Sequence, residues 1–425
     1  MMPMRRHTAA LSLLSLAVAC GGDGGDDSAD TADVGAEDSS GGDVQPDLAE
    51  NDAATDEEGS GADTTPEPDT QPDAGDDTAT EDADAPPDPV AALAVRGPHN
   101  VAYRSVPITY ERPDGRGERA IRLAVWYPTN DEPGRPPMYF GIFRRPGIVA
   151  DGAPALDAPA PTMIYSHGHL GYPESSGDFV EQFASHGWVV VAPEHTGNTL
   201  RDMGVQRAAD IYHIRSADMV AALDWLEARP SDDPLSFADT DRVVASGHSF
   251  GGYTVATLLG AAFDQALLDS CEAGGDGGFC DNFEGVDRAR LDAGLSEPRF
   301  VAGIMMDSGD YDKFGADGVA EIDRPLFFMS AGRGEPGSNA ERYWAALQNV
   351  PGSARLDVFR ACHQTFAIGC SGPGEIPAAD GFRIVNVYGL SFALARLLGD
   401  DAYDGILSGE VAVSPDEAAV YAAAP

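Results

Sequence analysis

The sequence predicts an α/β fold, a mostly parallel central sheet with helices on both faces. Three observations carry that prediction. Short apolar runs alternate with stretches of helical spacing between residues 162 and 398, the rhythm of strands joined by crossover helices. One run, Val243-Val244-Ala245, leads into Gly247-His248-Ser249-Phe250-Gly251, and a helix-compatible stretch from Tyr253 to Leu259 follows at once. Residues 21–90 hold almost no large apolar side chains, which leaves residues 91–425 to build one core.

In chain order, Arg5 and Arg6 form a basic start, and Ala9–Ala19 an apolar stretch too short to span a bilayer as a stable helix. Residues 1–20 are read as a targeting signal. Ala17-Val18-Ala19-Cys20 resembles the end of a bacterial lipoprotein signal, in which Cys20 becomes the lipidated first residue. Ala17 departs from that pattern, which more often has leucine there, and simple secretion is the other reading. Residues 21–90 carry 24 acidic residues and no Lys or Arg, more than half of the formal charge of −43. Such a tract cannot bury enough apolar surface to offset the entropy of ordering, so it reads as a disordered, extended linker. Its carboxylates lack the fixed spacing of a calcium loop. The acidic balance, with Lys313 as the one lysine, argues against nucleic-acid binding, which needs a basic patch. The expected location is the cell envelope or outside the cell, with a membrane contact through the N-terminal anchor.

The folded part is expected from about Val90. Ile121–Tyr127 reads as a strand near the sheet edge. Residues 128–161 are rich in Pro and Gly, and the apolar Met138–Phe143 within them is either a lid or pocket wall or a strand. Thr162–Tyr165 is a buried-type strand, followed by a helix around Asp178–His186. Trp188–Ala192 is the next strand, and a long helix runs from about Ala208 to Ala228. The Val243 strand and its helix come next. Residues 262–298 break the rhythm and read as an insertion. Strands are then expected at Phe300–Met306, Pro325–Met329 and Leu356–Phe359, the last of the sheet. Helices are expected at Asn339–Gln348 and Val385–Leu398.

Apart from Cys20 there are four cysteines, Cys271, Cys280, Cys362 and Cys370. An even number in an exported chain suggests two disulfides. Of the three pairings, proximity favours Cys271–Cys280 and Cys362–Cys370. No pair has the Cys-x-x-Cys spacing of a metal site, and none is expected.

The Gly-x-Ser-x-Gly string between strand and helix is the signature of a serine nucleophile on an α/β-hydrolase sheet. The serine must stand on a strained turn, and a side chain at either glycine would collide with the neighbouring strand or helix. Ser249 then needs a base and a group to orient it, in the order serine, acid, histidine. Of nine histidines only His363 lies beyond Ser249, directly after the last expected strand. Twelve Asp residues separate the two. Asp307, at the end of the Phe300 strand, is the leading acid, with Glu335 and Asp310 as alternatives. The tetrahedral intermediate needs two donors. One is the amide of Phe250, and the other comes from Ser166-His167-Gly168-His169, where His169 can donate. His167 reads as a packed structural residue.

Ser166-His167-Gly168, Gly247-His248-Ser249-Phe250-Gly251-Gly252, Met306-Asp307, Pro325-Leu326-Phe327-Phe328 and His363-Gln364-Thr365-Phe366 together resemble platelet-activating-factor acetylhydrolases, as does Pro193-Glu194-His195. The likeness spans roughly residues 95–400. It implies a calcium-independent serine esterase with Ser249, Asp307 and His363 as its triad and His169 and Phe250 at the oxyanion hole. It further implies esters with short acyl chains, or phospholipids with short or oxidised ones, as substrates. The insertion at 262–298, and His169 where the family has leucine, depart from the pattern at the acyl pocket. The expected activity is therefore carboxylic-ester hydrolysis through an acyl-serine, without cofactor. A broader lipase, polyester or dienelactone-type hydrolase, or a non-catalytic surface-binding lipoprotein, are the rivals.

Overall fold

A computed structural model describes residues 88–423 except 157, 204–209, 276–278, 281–282, 284–285 and 371. The expected targeting segment with Cys20, and the acidic tract up to residue 87, lie outside the described residues. A short helix, α1 (Pro89–Leu93), precedes a long antiparallel hairpin of β1 (Asn100–Glu111) and β2 (Glu118–Thr129). Met138–Phe143 is strand, one of its two expected readings, but in two short pieces. It contributes β3 (Met138–Tyr139) and the start of β4 (Phe143–Arg144), a two-stranded ribbon apart from the main sheet. Then come β5 (Val149–Ala150), β6 (Ala160–Ser166), α2 (Gly177–Ser185), β7 (Val189–Pro193) and α3 (Ile211–Glu227). The strand β8 (Ala238–His248) feeds α4 (Phe250–Leu258) across one residue, Ser249.

Residues 262–298 hold α5 (Gln265–Glu272) and α6 (Arg288–Ala293). The Cys271–Cys280 disulfide ties the end of α5 to the loop that follows it. This segment is no surface excursion, because Phe279, Phe283 and Leu291 are buried in the main core. The rhythm resumes with β9 (Phe300–Met306), α7 (Gly315–Val319), β10 (Leu326–Ala331), α8 (Asn339–Leu347), β11 (Ala354–Val358) and α9 (Ala378–Ala393). The chain ends in α10 (Asp404–Leu407) and β12 (Ala418–Ala422). β12 pairs antiparallel with β11, and with β1 and β5 it takes the sheet three strands beyond the seven expected from the sequence.

The ten strands lie in the order β12-β11-β10-β9-β8-β6-β7-β2-β1-β5. From β11 to β7 every neighbouring pair is parallel. The antiparallel pairs are β11–β12, β7–β2 and β2–β1. Alternation along the strands divides the core. Leu123, Val125 and Tyr127 of β2, with Val189 and Val191 of β7, face the side covered by α3, α4 and α8. Ala124, Trp126, Val190 and Ala192 face the side covered by α2 and α9. A strand buried on both faces must be apolar at successive positions, which is why these runs lack a polar alternation. α9 with its extension to Leu398 is long and apolar enough to cross a membrane, yet 72% of its most apolar window is buried against this core.

The connection from β6 goes to β7 on one side, and the chain then returns to place β8 on the other. That reversal opens a crevice at the carboxyl ends of β6 and β8, the usual place for a ligand in an open α/β sheet.

Candidate active site

Three loops meet at that crevice. The tightest is the β8–α4 turn. Ser249 has φ 56° and ψ −122°, an unusual conformation for a residue with a side chain. The backbone is held there by Ser249 N donating to Met306 O at 2.8 Å. Both glycines of the motif are needed for close approach. A Cβ on Gly251 would lie 1.9 Å from the carbonyl oxygen of Ser166, and one on Gly247 would lie 2.4 Å from the Gly251 carbonyl. The turn is thus wedged between the end of β6 and its own helix.

Asp307 follows β9 directly, with φ 46°. Its Oδ2 accepts from His363 Nδ1 at 2.6 Å, and its Oδ1 accepts from Ala331 N at 2.9 Å. Burial raises the carboxyl's pKa, but the hydrogen bond and charge of His363, with the Ala331 amide, outweigh it and hold the group below its ordinary value. Glu335 and Asp310 reach the same cavity but neither bonds His363 among the described residues. His363 opens a 3-10 turn after β11, half-exposed. That turn is closed by the Cys362–Cys370 disulfide, and Ser176 Oγ donates to Phe366 O at 2.8 Å. The expected pairings of the four cysteines are both present. Cys362, Cys370 and Glu375 are the one group of described residues close enough to share a metal ion, and both sulfurs are spent in the disulfide.

Ser249, Phe250, Asp307, His363 and His169 line one cavity of about 570 Å³. Its far wall is Phe328, Arg333, Glu335 and Asn339. Ser249 and His363 face this space with no direct hydrogen bond between them among the described residues. Contacts of this kind commonly tighten only with substrate bound. Phe250 opens α4 and lines the same cavity, and Gly252 N in that first turn donates to Ser249 O at 2.9 Å. His169 stands exposed at the rim, its ring edge-on to Phe250 at 6.3 Å. His167 is a packed residue, as expected: fully buried, its Nδ1 donates to Gly168 O at 2.8 Å and its Nε2 accepts from His195 N at 3.1 Å. Burial first, then the charges nearby, keep its ring neutral.

Sequence reasoning missed the polar layer beneath these loops. Arg215, early in α3 and fully buried, donates from Nε to Thr254 Oγ1 (3.2 Å), from Nη1 to Asn198 Oδ1 (2.8 Å) and from Nη2 to Ser166 Oγ (3.0 Å) and to His167 O. Its guanidinium also lies 4.7 Å from the Phe250 ring centre. Ser166 Oγ is 2.9 Å from His195 Nε2, and His195 Nδ1 is 3.0 Å from Asp218 Oδ2. Arg119 and Tyr110 complete the partners of Asp218. Burial, then the Arg215 charge, push His195 down to about 3. Burial raises Asp218, but Arg119 and His195 outweigh it and hold the carboxyl at about 2. The signal that could have found this layer is a charged pair, Arg215 and Asp218, one helical turn apart and bracketed by the apolar Ile211, Ile214, Met219 and Ala222.

His248 was also unassigned. Its buried ring packs 4.5 Å from that of His363, and its Nε2 donates to the His363 carbonyl at 2.9 Å. Burial, then the His363 charge, lower its pKa to about 3, so the ring is neutral and holds the backbone of the histidine loop.

No family profile and no curated protein matches the chain. Among solved structures it is similar to a ferulic acid esterase from Streptomyces cinnamoneus, with a TM-score of 0.51 and 22% identity, over 73% of this chain and 93% of that one. Sheet order, crossover helices and this likeness show an α/β-hydrolase fold.

Proposed function

We propose that the protein is a serine carboxylic-ester hydrolase, with Ser249 as nucleophile, His363 as base and Asp307 orienting the base. One observation carries this reading: the 2.6 Å hydrogen bond from His363 Nδ1 to Asp307 Oδ2, at the wall of the cavity that the strained Ser249 also lines. With Nδ1–H committed to the carboxylate, the free lone pair of the ring is on Nε2, the nitrogen that must take the serine proton. Ser249 Oγ attacks the ester carbonyl as His363 accepts its proton. The oxyanion forms against donors from Phe250 and His169. His363 then gives the proton to the leaving alcohol, and water, activated by the same ring, releases the acid from Ser249. Asp307 stays ionised and stabilises the imidazolium.

Short or compact acyl groups suit the cavity best. Asp310, Arg333, Glu335 and Asn339 in its wall would be left poorly solvated against a long alkyl chain. The fold's likeness to a ferulic acid esterase supports adding aromatic hydroxycinnamate esters to the candidates. The two disulfides suit an oxidising compartment, which supports export, with Cys20 as the proposed lipid anchor and the acidic tract as tether.

A fluorophosphonate probe tests the reading. Wild type should label at Ser249 and Ser249→Ala should not; an unlabelled folded wild type would sink it. A panel of p-nitrophenyl esters of rising chain length, with methyl ferulate and a short-chain phospholipid beside it, then sorts the substrate classes. A flat response to phospholipid excludes the acetylhydrolase-type substrate and leaves an esterase.

A further inference from the structure

The hydrogen bonds around His169 fix more than its position. Asn198 is buried, and its amide oxygen takes Nη1 of Arg215 at 2.8 Å. A guanidinium can only donate, so the Asn198 atom facing it must be the oxygen. The other end of the same amide, Nδ2, lies 2.7 Å from His169 Nδ1. An amide NH₂ can only donate, so Nδ1 of His169 must accept and carries no proton. The imidazole therefore holds its proton on Nε2.

We infer that Arg215 and Asn198 are positioning residues that lock the His169 imidazole as its Nε2–H tautomer at the rim of the Ser249 cavity. This rests on the esterase reading for its catalytic meaning but not for its structure. The lock gives the His169 ring a fixed polarity in the cavity lining, with a bare Nδ1 and a protonated Nε2. Arg215 is suited to anchor it, because one buried guanidinium holds the Asn198 oxygen, the His167 carbonyl and Ser166 Oγ together and packs behind the Phe250 ring. The parts that face the developing oxyanion are thus referenced to a single rigid group, which is what preorganised stabilisation needs.

The test is spectroscopic first. In the full chain labelled with ¹⁵N-histidine, two-bond ¹H–¹⁵N correlation spectra report which ring nitrogen is protonated, and loss of one set of signals in His169→Gln assigns the ring. The expected result at neutral pH is a protonated Nε2 and a bare Nδ1. In Asn198→Asp the carboxylate accepts instead, and the proton should appear on Nδ1. A wild-type ring protonated on Nδ1, or one averaging between tautomers, overturns the lock, and this measurement needs no variant of the network to fold. The activity arm is Asn198→Leu, expected to lower kcat/KM for a p-nitrophenyl ester by about tenfold or more while KM changes little. Unchanged kcat/KM in a folded Asn198→Leu overturns the positioning role. Fluorophosphonate labelling of wild type separates the two levels. A correct tautomer without labelling overturns the esterase reading alone, and labelling with the wrong tautomer overturns the lock alone.

Discussion

Asp307→Asn tests the proposed acid, because the carboxylate has two bonds and an amide can keep only one. Asp307 Oδ2 takes His363 Nδ1–H and Oδ1 takes Ala331 N–H. If the amide oxygen stays on His363, its NH₂ faces the Ala331 N–H, a clash of two donors that costs about 1–3 kcal/mol. If the amide turns, its NH₂ faces Nδ1 and forces the histidine proton onto Nε2, where it blocks uptake of the Ser249 proton. Either way the negative charge that stabilises the imidazolium is gone. The wrong tautomer and lost charge together predict a fall in kcat/KM of about 10⁴, or about 5.5 kcal/mol of transition-state stabilisation. The assay is initial-rate hydrolysis of a p-nitrophenyl ester across pH, with melting curves to show that the variant is folded. Glu335→Gln and Asp310→Asn run beside it and should keep most of the activity. The reasoning is refuted if Asp307→Asn keeps more than about a tenth of wild-type kcat/KM, the loss of a single minor contact, or if Glu335→Gln shows the large loss instead.

Three more expectations follow from the same geometry. Gly251→Ala puts a Cβ 1.9 Å from the Ser166 carbonyl, backbone that cannot swing away, and should cost about 3 kcal/mol in a denaturant midpoint together with activity. His195 and His248 are held near a pKa of 3 in the fold, so between their ordinary 6.5 and 3 the unfolded chain binds protons that the native one does not. Stability should therefore fall as pH drops through that window, with Asp218, held near 2, adding further loss below its ordinary 3.8; melting temperatures from pH 7.5 to 4 should show a gentler slope for His248→Gln than for wild type, and parallel curves would contradict this. Removing Cys362–Cys370 with paired serines should cost about 2.5 kcal/mol by the loop-entropy relation and lower kcat, since the loop begins beside His363. Removing Cys271–Cys280 should cost similar stability and leave kcat unchanged, as read in parallel melts and rate assays.

The parts of this fold that were legible in the sequence are those whose signal is local. Val243–Gly252 declares strand, turn and helix within ten residues, and Phe300–Met306 is an unbroken apolar run that the structure returns with the same bounds. β1 escaped because its inward and outward residues alternate and include Arg104 and Pro107; only its full-length pairing with β2 makes it a strand. β12, Ala-rich and short, is likewise made by β11. The candidate acid could be ranked but not chosen, since twelve Asp residues lie in the interval and nothing local says which one meets His363. Arg215, Asn198 and His169 are 17 and 29 residues apart along the chain, and their bonds exist only once α3 has packed under β6.

Ser166, His195 and Asp218 repeat, atom for atom, the hydrogen-bond sequence expected of a hydrolase triad: hydroxyl to Nε2, then Nδ1 to carboxylate. All three side chains are sealed from solvent, and the hydroxyl already accepts from Arg215. A search of protein interiors by interatomic distance alone would report two catalytic centres in this molecule and rank the sealed one higher, because its serine and histidine are in contact. What separates the proposed nucleophile from a structural rivet is therefore vacancy: an unoccupied volume at the hydroxyl into which a carbonyl carbon can move. Ser249 borders such a space and Ser166 does not.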